Sequence, residues 1–573
     1  MQWGRFIRAV CVVSVLAVLL PVVAGAQGAP ASAAGSNFSI ATVPPLYPTF
    51  NGAISDYAVR CTGTFATRVT TTGSEFVYVG GRKFGGPVSL YEPLVAGQGL
   101  QVRRGSQSYY IRCLPSDFPN YTSSVTGQPQ ASGYLATIGT YAVAFDPHGV
   151  PVWWYLDTNF LGPLDATFFD SSTIGWADGA VQFQLRGLDG TLKATVGGGS
   201  VPLDFHDLQR LPNGDYLGIM DVTRNCPTDP SQCVDLSSWG LSSQAQIIDN
   251  VIVELNSANQ IVWSWSTADH INVATENANW RDQFPDVIHM NSIYSDGSGG
   301  VIFSARHLDA VYRIDMATGA ITWKLGGTPT PQSLTVVGDQ YPVVFSGQHF
   351  ARLLPDGTLT VQDNGTRTNR PVRALRFAID TNAKTATIVE RVSDSRSIPA
   401  FCCGSAAKLP TGDWVTSWGG NPYVTELNPQ GVPQITISFT APLFSYRVAP
   451  LGASIGALRQ GMDAMVPPLV VTGDNSPPTT NVLLPSDGAS LLGGQFLDAA
   501  ATDNAVATNV EFRLTGGSFN NSLIATATPT IYGWIAGWDT TTVPDGAYTL
   551  QSVAYDGAGN SASSPPITFT VAN

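Results

Sequence analysis

One pattern recurs along this chain with a histidine at the same place each time. His206 opens HDLQRLPNG, His289 opens HMNSIYSDG and His349 opens HFARLLPDG. Each histidine stands eight residues ahead of a turn glycine, namely Gly214, Gly297 and Gly357. A fourth copy, GSAAKLPTG, ends at Gly412 and carries Gly404 where the others have histidine. The chain holds only six histidines in 573 residues, so three in one register point to copies of one structural unit. Copies set about an axis bring their imidazoles together on that axis.

A second phrase alternates with the first: a strand, an Asx/Gly turn, and a strand that often carries Trp. It reads AFDPHGVPVWWYLD from Ala144, LRGLDGTLKATVGG from Leu185, VIVELNSANQIVWSW from Val251 and VYRIDMATGAITWKLGG from Val311. FAIDTNAKTATIVE from Phe377 and VTELNPQGVPQITIS from Val424 complete the set. Apolar alternation around such turns marks antiparallel hairpins. An inner hairpin followed by an outer one makes a four-stranded unit, and six such units at this spacing predict a six-bladed β-propeller over residues 134–455. Composition agrees with an all-β chain: 12% charged residues, 58 Gly and 39 Pro favour short strands and turns over helices.

The flanks read differently. Residues 1–26 resemble a signal peptide, with Arg5 and Arg8, an apolar run from Val10 to Val23 and the small residues Ala24-Gly25-Ala26. Residues 27–133 are expected to form a β-module and 456–475 a linker. Residues 476–573, with NVEFRL, VPDG, YTLQSVAYD and ITFTVAN, suggest an immunoglobulin-like β-sandwich without the Cys…Trp…Cys pattern. Its expected role is spacing or adhesion, through contact with a cell surface or a second copy. No later segment is long and apolar enough to span a bilayer, so the mature chain is expected to be exported, to a periplasm or cell wall or beyond. Without the leader it carries 27 basic against 42 acidic residues, or −15, which argues against nucleic acid as a partner.

Export changes how the cysteines read. Beyond Cys11 there are six, an even number in an oxidising compartment. Locality pairs Cys61 with Cys113 and Cys226 with Cys233. Cys402 and Cys403 form either a vicinal bridge or two buried thiols. Missing CxxC pairs make a structural zinc unfavoured.

Equal register places His206, His289 and His349 on one tier of a central channel. Beyond the turn glycines, Asp221, Arg306 and Asp363 fall at corresponding places, and Asn291 faces the same side of its strand as His289. Three imidazoles beside the guanidinium of Arg306 suit a bound anion. His148, His270 and His307 fall off the register and read as peripheral.

HDLQRLPNG, the segment DVIHMNSI with Arg306 17 residues after His289, and SGQHFARLLPDG together resemble the arylsulfate sulfotransferase family. The similarity runs over roughly residues 134–450. It implies transfer of a sulfuryl group from a phenolic sulfate ester to a phenolic acceptor, with neither nucleotide donor nor other cofactor. It further implies that His349 is transiently sulfurylated in a ping-pong cycle, and that His206 and His289 hold the sulfate and move protons. The same resemblance implies that Arg306 binds the sulfuryl oxygens, with Asn291 as a supporting polar residue beside it. Two other readings stand against this one. The three histidines could bind iron, copper or zinc in a metal-dependent propeller enzyme, or the channel could capture its ligands in a non-catalytic secreted binding or adhesion protein.

Overall fold

The computed structural model describes residues 38–573 apart from 62–66, 73–75, 86–87, 93, 160–161, 180, 472–475, 504–506, 531 and 557–559. The expected signal peptide lies outside the described residues. Among them, no helix is long and apolar enough to cross a membrane.

Six consecutive sheets occupy the repeat region. The second runs Leu164–Asp170, Thr173–Asp178, Gln182–Gly187, Leu192–Gly197, and the third Leu208–Arg210, Tyr216–Thr223, Ile248–Leu255, Ile261–Ser266. The fourth comprises Met290–Ser295, Gly300–Ala305, Ala310–Asp315 and Ile321–Gly326. In the fifth, His349–Leu353, Thr358–Asp363, Arg373–Asp380 and Thr385–Val392 gain a parallel outer strand, Thr335–Val337. The sixth has Ser405–Lys408, Trp414–Ser417, Tyr423–Leu427 and Pro433–Phe439. The first is assembled from both ends of the region: Tyr134–Ile138, Tyr141–Phe145 and Pro151–Leu156 are completed by Val448–Pro450, which pairs antiparallel with Tyr134–Ala136.

Strand alternation sends successive side chains to opposite faces, so a sheet can bury both. Val301 and Phe303 pack with Leu217, Ile219 and Ile252 of the third sheet, whereas Ile302 between them packs with Leu359, Val361 and Leu375 of the fifth. The second and third sheets share Phe183, Leu185, Leu208 and Val253, and the fifth and sixth share Ala374, Val392 and Trp414. One further cluster joins Val424, Ile435 and Ile437 of the sixth to Leu135 and Val143 of the first and Ile174 and Trp176 of the second. Packing therefore runs from sheet to sheet and back to the start.

The centre is polar. Arg447 donates through Nη1 to Asp165 (2.5 Å) and through Nη2 to the Asn291 carbonyl (2.8 Å), and its Nη1 lies 3.3 Å from Asp207. Asp207 also accepts from Arg352 at 2.8 Å and from the Ile293 backbone N–H at 2.9 Å. Side chains and backbone from the second to fifth sheets thus meet on the segment that closes the first.

Two expected boundaries differ. Tyr121–Val125, before residue 134, extends the sixth sheet by pairing with Ile435–Phe439. The expected linker begins with a helix, Ile455–Met465. Ser454 caps it by accepting from the Ala457 N–H (3.1 Å), and its Leu458 and Met462 bury against the first sheet. Its outer side pairs Arg459 with Asp56 and Asp463 with Arg112 (2.7 Å), fastening the helix to the N-terminal strands. Those strands include the parallel pair Asp56–Arg60 and Gln107–Leu114. At the C-terminus, two sheets enclose a core of Leu497, Val510, Phe512, Leu514, Trp538, Leu550 and Phe569.

Removing one partner from a buried ionic cluster leaves the other charge without compensation. Arg447→Ala is expected to cost about 3–5 kcal/mol, read as a lower urea midpoint of the tryptophan fluorescence transition. An unchanged midpoint would show that the cluster does not hold the sheets together.

Candidate active site

The repeated histidines sit just ahead of the innermost strands of the third and fourth sheets and at the start of that of the fifth. His206 is buried, and its ring lies 4.6 Å from that of His289 at 81°. His206 Nδ1–H donates to Asp204 at 2.5 Å, and His289 Nδ1–H donates to Asp286 at 2.5 Å. In both cases a carboxylate orients the ring and leaves Nε2 for other work. Burial alone would raise Asp204 and Asp286, but the histidines facing them hold both carboxyls below their ordinary range. Burial lowers the pKa of His289, against the pull of Asp286.

His349 is built differently. Its Nδ1–H donates to the Gly347 carbonyl (2.9 Å), and its Nε2 accepts the Cys403 backbone N–H (3.0 Å). These partners assign one neutral tautomer, and no carboxylate backs the ring. Burial, followed by Arg306, His206 and His289, pushes its pKa well below 6.5. His349 is therefore a neutral imidazole with its basic nitrogen turned toward a single N–H.

Arg306 follows directly on a strand of the fourth sheet and is 7% exposed. Its Nη2 donates to the Phe401 carbonyl (2.6 Å), its Nη1 to His307 Nε2 (2.7 Å), and its guanidinium lies 4.4 Å from the Trp280 ring centroid. Burial lowers its pKa to about 10, so it stays cationic near neutrality. Asn291 commits its Nδ2 to the Gln348 carbonyl (2.8 Å), leaving Oδ1 buried without a partner. It thus presents an acceptor. Asp221, bonded to Asn250, is pushed up to about 7 by burial and by Asp204 and Asp286. Asp363 instead binds Arg370 and Arg373 on the fifth sheet.

His307 corrects the expectation that it is peripheral. It stacks 4.5 Å from His289 and 4.7 Å from Trp280, and its Nδ1–H donates to the Asp286 carbonyl at 2.6 Å. His148 remains in its hairpin turn beside Asp146, and His270 stacks on Trp265.

The segment 400–404 was not legible as part of the site. Cys402 and Cys403 are bridged, as are Cys61 with Cys113 and Cys226 with Cys233. This strap holds Arg306 through the Phe401 carbonyl and His349 through the Cys403 N–H, and is itself held by Asn364 Nδ2 on the Cys403 carbonyl (2.9 Å). Cys403 (φ 69°) and His289 (φ 55°) both occupy the left-handed region, which costs a side-chain-bearing residue on the order of 1–3 kcal/mol. Gly404, the odd member of the repeat, has φ 100°, and a Cβ there would run into Gln362 and the Gly419 nitrogen. A histidine has no room at that place.

Metal ligation fits this geometry poorly. The ligating atoms of Asp286, His289 and His307 lie within 4.8 Å of one another. Both Nδ1 atoms, however, donate protons to Asp286, the two rings are stacked, and Arg306 occupies the remaining nitrogen of His307. A metal would have to displace these contacts beside a guanidinium.

Burial drives the His307 pKa down to about 3, against 6.5 for the free side chain. Between those values the unfolded chain binds the proton that the folded one refuses, so this residue's contribution to stability falls as the pH drops. A His307→Gln variant should therefore lose less thermal midpoint than wild type between about pH 7 and pH 4.5. Equal slopes would show that His307 titrates alike in both states.

Comparison with known proteins adds two family matches. No curated protein matches the chain. Similar solved structures include a protein of unknown function from Bacteroides caccae, 12% identical, covering 56% of this chain and 98% of that one at a TM-score of 0.37. The WD40 β-propeller domain of Doa1 is 9% identical, covering 67% and 92% at a TM-score of 0.30. At those scores neither adds to the functional assignment. Family models are more informative: residues 205–440 match the arylsulfotransferase (ASST) family and residues 478–551 the bacterial Ig domain. The stretch that matches the arylsulfotransferase family carries His206, His289, Asn291, Arg306 and His349, and the stretch that matches the bacterial Ig domain follows it.

Proposed function

We propose that this protein transfers sulfuryl groups from phenolic sulfate esters to phenols through a sulfohistidine at His349. The six sheets are read as blades of one propeller, with the site on the inner ends of the third to sixth. The export-type leader and paired cysteines support an extracytoplasmic enzyme. The observation that carries the chemistry is the division among the three histidines: two are backed by carboxylates, and His349 alone is held neutral by backbone groups.

A neutral imidazole is a competent nucleophile near neutrality and a good leaving group from sulfur. In the first half-reaction, Nε2 of His349 bonds to sulfur as the ester S–O bond breaks. The departing phenolate takes a proton from Nε2–H of a carboxylate-backed histidine, assigned to His206, and leaves as phenol. Arg306 faces the charge that spreads over the sulfuryl oxygens. The Nδ1–H bond to Gly347 supports the positive ring of the intermediate. In the second half-reaction, neutral His206 takes the acceptor's proton, the phenol oxygen bonds to sulfur, and the N–S bond breaks. Cys403 N–H must leave Nε2 before attack, so the strap opens slightly when substrate enters.

With a chromogenic aryl sulfate and added phenol, the mature protein should release chromophore in proportion to new sulfate ester formed. His349→Ala should abolish transfer, while His206→Ala, His289→Ala and Arg306→Ala each lower kcat/KM by about 100-fold or more. Full activity in the His349 variant would overturn the mechanism. Replacing both Cys402 and Cys403 with Ser loosens the strap that positions Arg306 and His349, and should lower kcat/KM about tenfold. Unchanged kinetics in that variant would remove the strap from the account.

A further inference from the structure

The strongest observation left over is a set of buried polar atoms at the site that have no partner. Arg306 Nε, Asn291 Oδ1 and the Tyr446 hydroxyl are all buried and unbonded. Leaving a buried donor unmade costs about 1–3 kcal/mol, and tyrosine hydroxyls in interiors usually find an acceptor. Unpaired atoms of this kind on residues of the site leave hydrogen bonds open for a polar guest.

Tyr446 is the member of this set that the sequence repeat does not supply. It is 6% exposed and lies just before the strand that closes the first sheet. Its backbone is fixed twice: the Gly404 N–H donates to its carbonyl at 2.8 Å, and its own N–H donates to Thr137 Oγ1 at 3.3 Å. The first contact ties Tyr446 to the strap that touches Arg306 and His349. Its ring centroid is 6.2 Å from that of His206 and 6.2 Å from Phe205. The next residue, Arg447, turns into the central ionic cluster, with its guanidinium carbon 5.6 Å from the Tyr446 ring. Tyr446 therefore stands beside the central ionic cluster with its ring near His206. Burial raises its pKa well above 10, so it keeps its proton at every working pH.

We infer that Tyr446 is a further catalytic residue, whose hydroxyl donates a hydrogen bond to an oxygen of the sulfuryl group lying between His349 and Arg306. This rests on the sulfotransferase reading above. No bond to Tyr446 forms or breaks. It adds a third kind of donor to the transferring group, opposite in origin to Arg306, and one common to both half-reactions.

Tyr446→Phe tests it, because the ring and its packing stay. A structural hydroxyl would show itself as lost stability; removing an unpaired buried hydroxyl should instead leave the thermal midpoint equal or higher. Two readouts are taken on the full chain. Titration calorimetry with inorganic sulfate should give at least fivefold weaker binding in the variant. With a series of aryl sulfates, kcat/KM should fall about 10–100-fold, by a similar factor for good and poor leaving phenols. Sulfate binding equal to wild type would overturn the inference. So would a loss that grows with the leaving phenol's basicity, since that marks a proton donor instead. If wild type transfers nothing, the sulfotransferase reading falls, and the sulfate titration still decides whether Tyr446 holds the anion.

Discussion

The guanidinium of Arg447 sits where four sheets and the closing segment come together, and most of the architecture can be understood from that position. A ring of sheets leaves a central hole that apolar side chains cannot fill symmetrically, because the innermost strands also carry backbone groups that need partners. Here the hole is closed by charge. Asp165 and Asp207 face Arg447, Arg352 shares Asp207, and the carbonyl of Asn291 and the N–H of Ile293 join the same cluster. Buried ion pairs add little net stability over a well-packed apolar substitute, yet they fix geometry. The polar plug sets the height at which the tier of histidines lies, since His206 is next to Asp207 and Tyr446 is next to Arg447.

Above that plug the chemistry divides by the kind of partner each imidazole has. Asp204 and Asp286 sit two and three residues ahead of their histidines, so local turns deliver the carboxylates. Gly347 takes the equivalent place before His349 and offers only a carbonyl. One repeated scaffold thus yields two rings backed by carboxylates and one backed only by a backbone carbonyl. The remaining nitrogen of His349 is then controlled from the neighbouring sheet by Cys403.

Much of this was legible in the chain and some was not, for reasons that are physical. The hairpin phrases marked the strands because alternation and turn residues are local signals, and the histidine register followed from them. Arg306 and Asn291 could be placed by counting along the same strands. His307 could not: it adjoins Arg306 in a short turn of 3-10 helix, and only the fold shows it stacked on His289. Tyr446 and the strap reach the site from residues about 50 to 100 positions beyond His349, so no spacing rule reveals them. Asp204 and Asp286 were visible beside their histidines; attention to the two or three residues before each repeat would have found them. The helix Ile455–Met465 was hidden by its Gly and Ala content, which reads as connector until Leu458 and Met462 find the first sheet.

The closure of the first sheet has a consequence for how such a chain is made. Its first three strands, Tyr134–Leu156, reach their last neighbour only when Val448–Pro450 arrives, some 300 residues later. Until then Tyr134–Ile138 is an open edge, with its ladder groups unpaired and a neighbouring apolar face uncovered. Pairings of such long separation form late and slowly. A chain crossing a membrane from its N-terminus would therefore travel with an unfinished sheet, shielded only by whatever accompanies it. On such a route the first sheet would be completed only in the compartment where its last strand emerges.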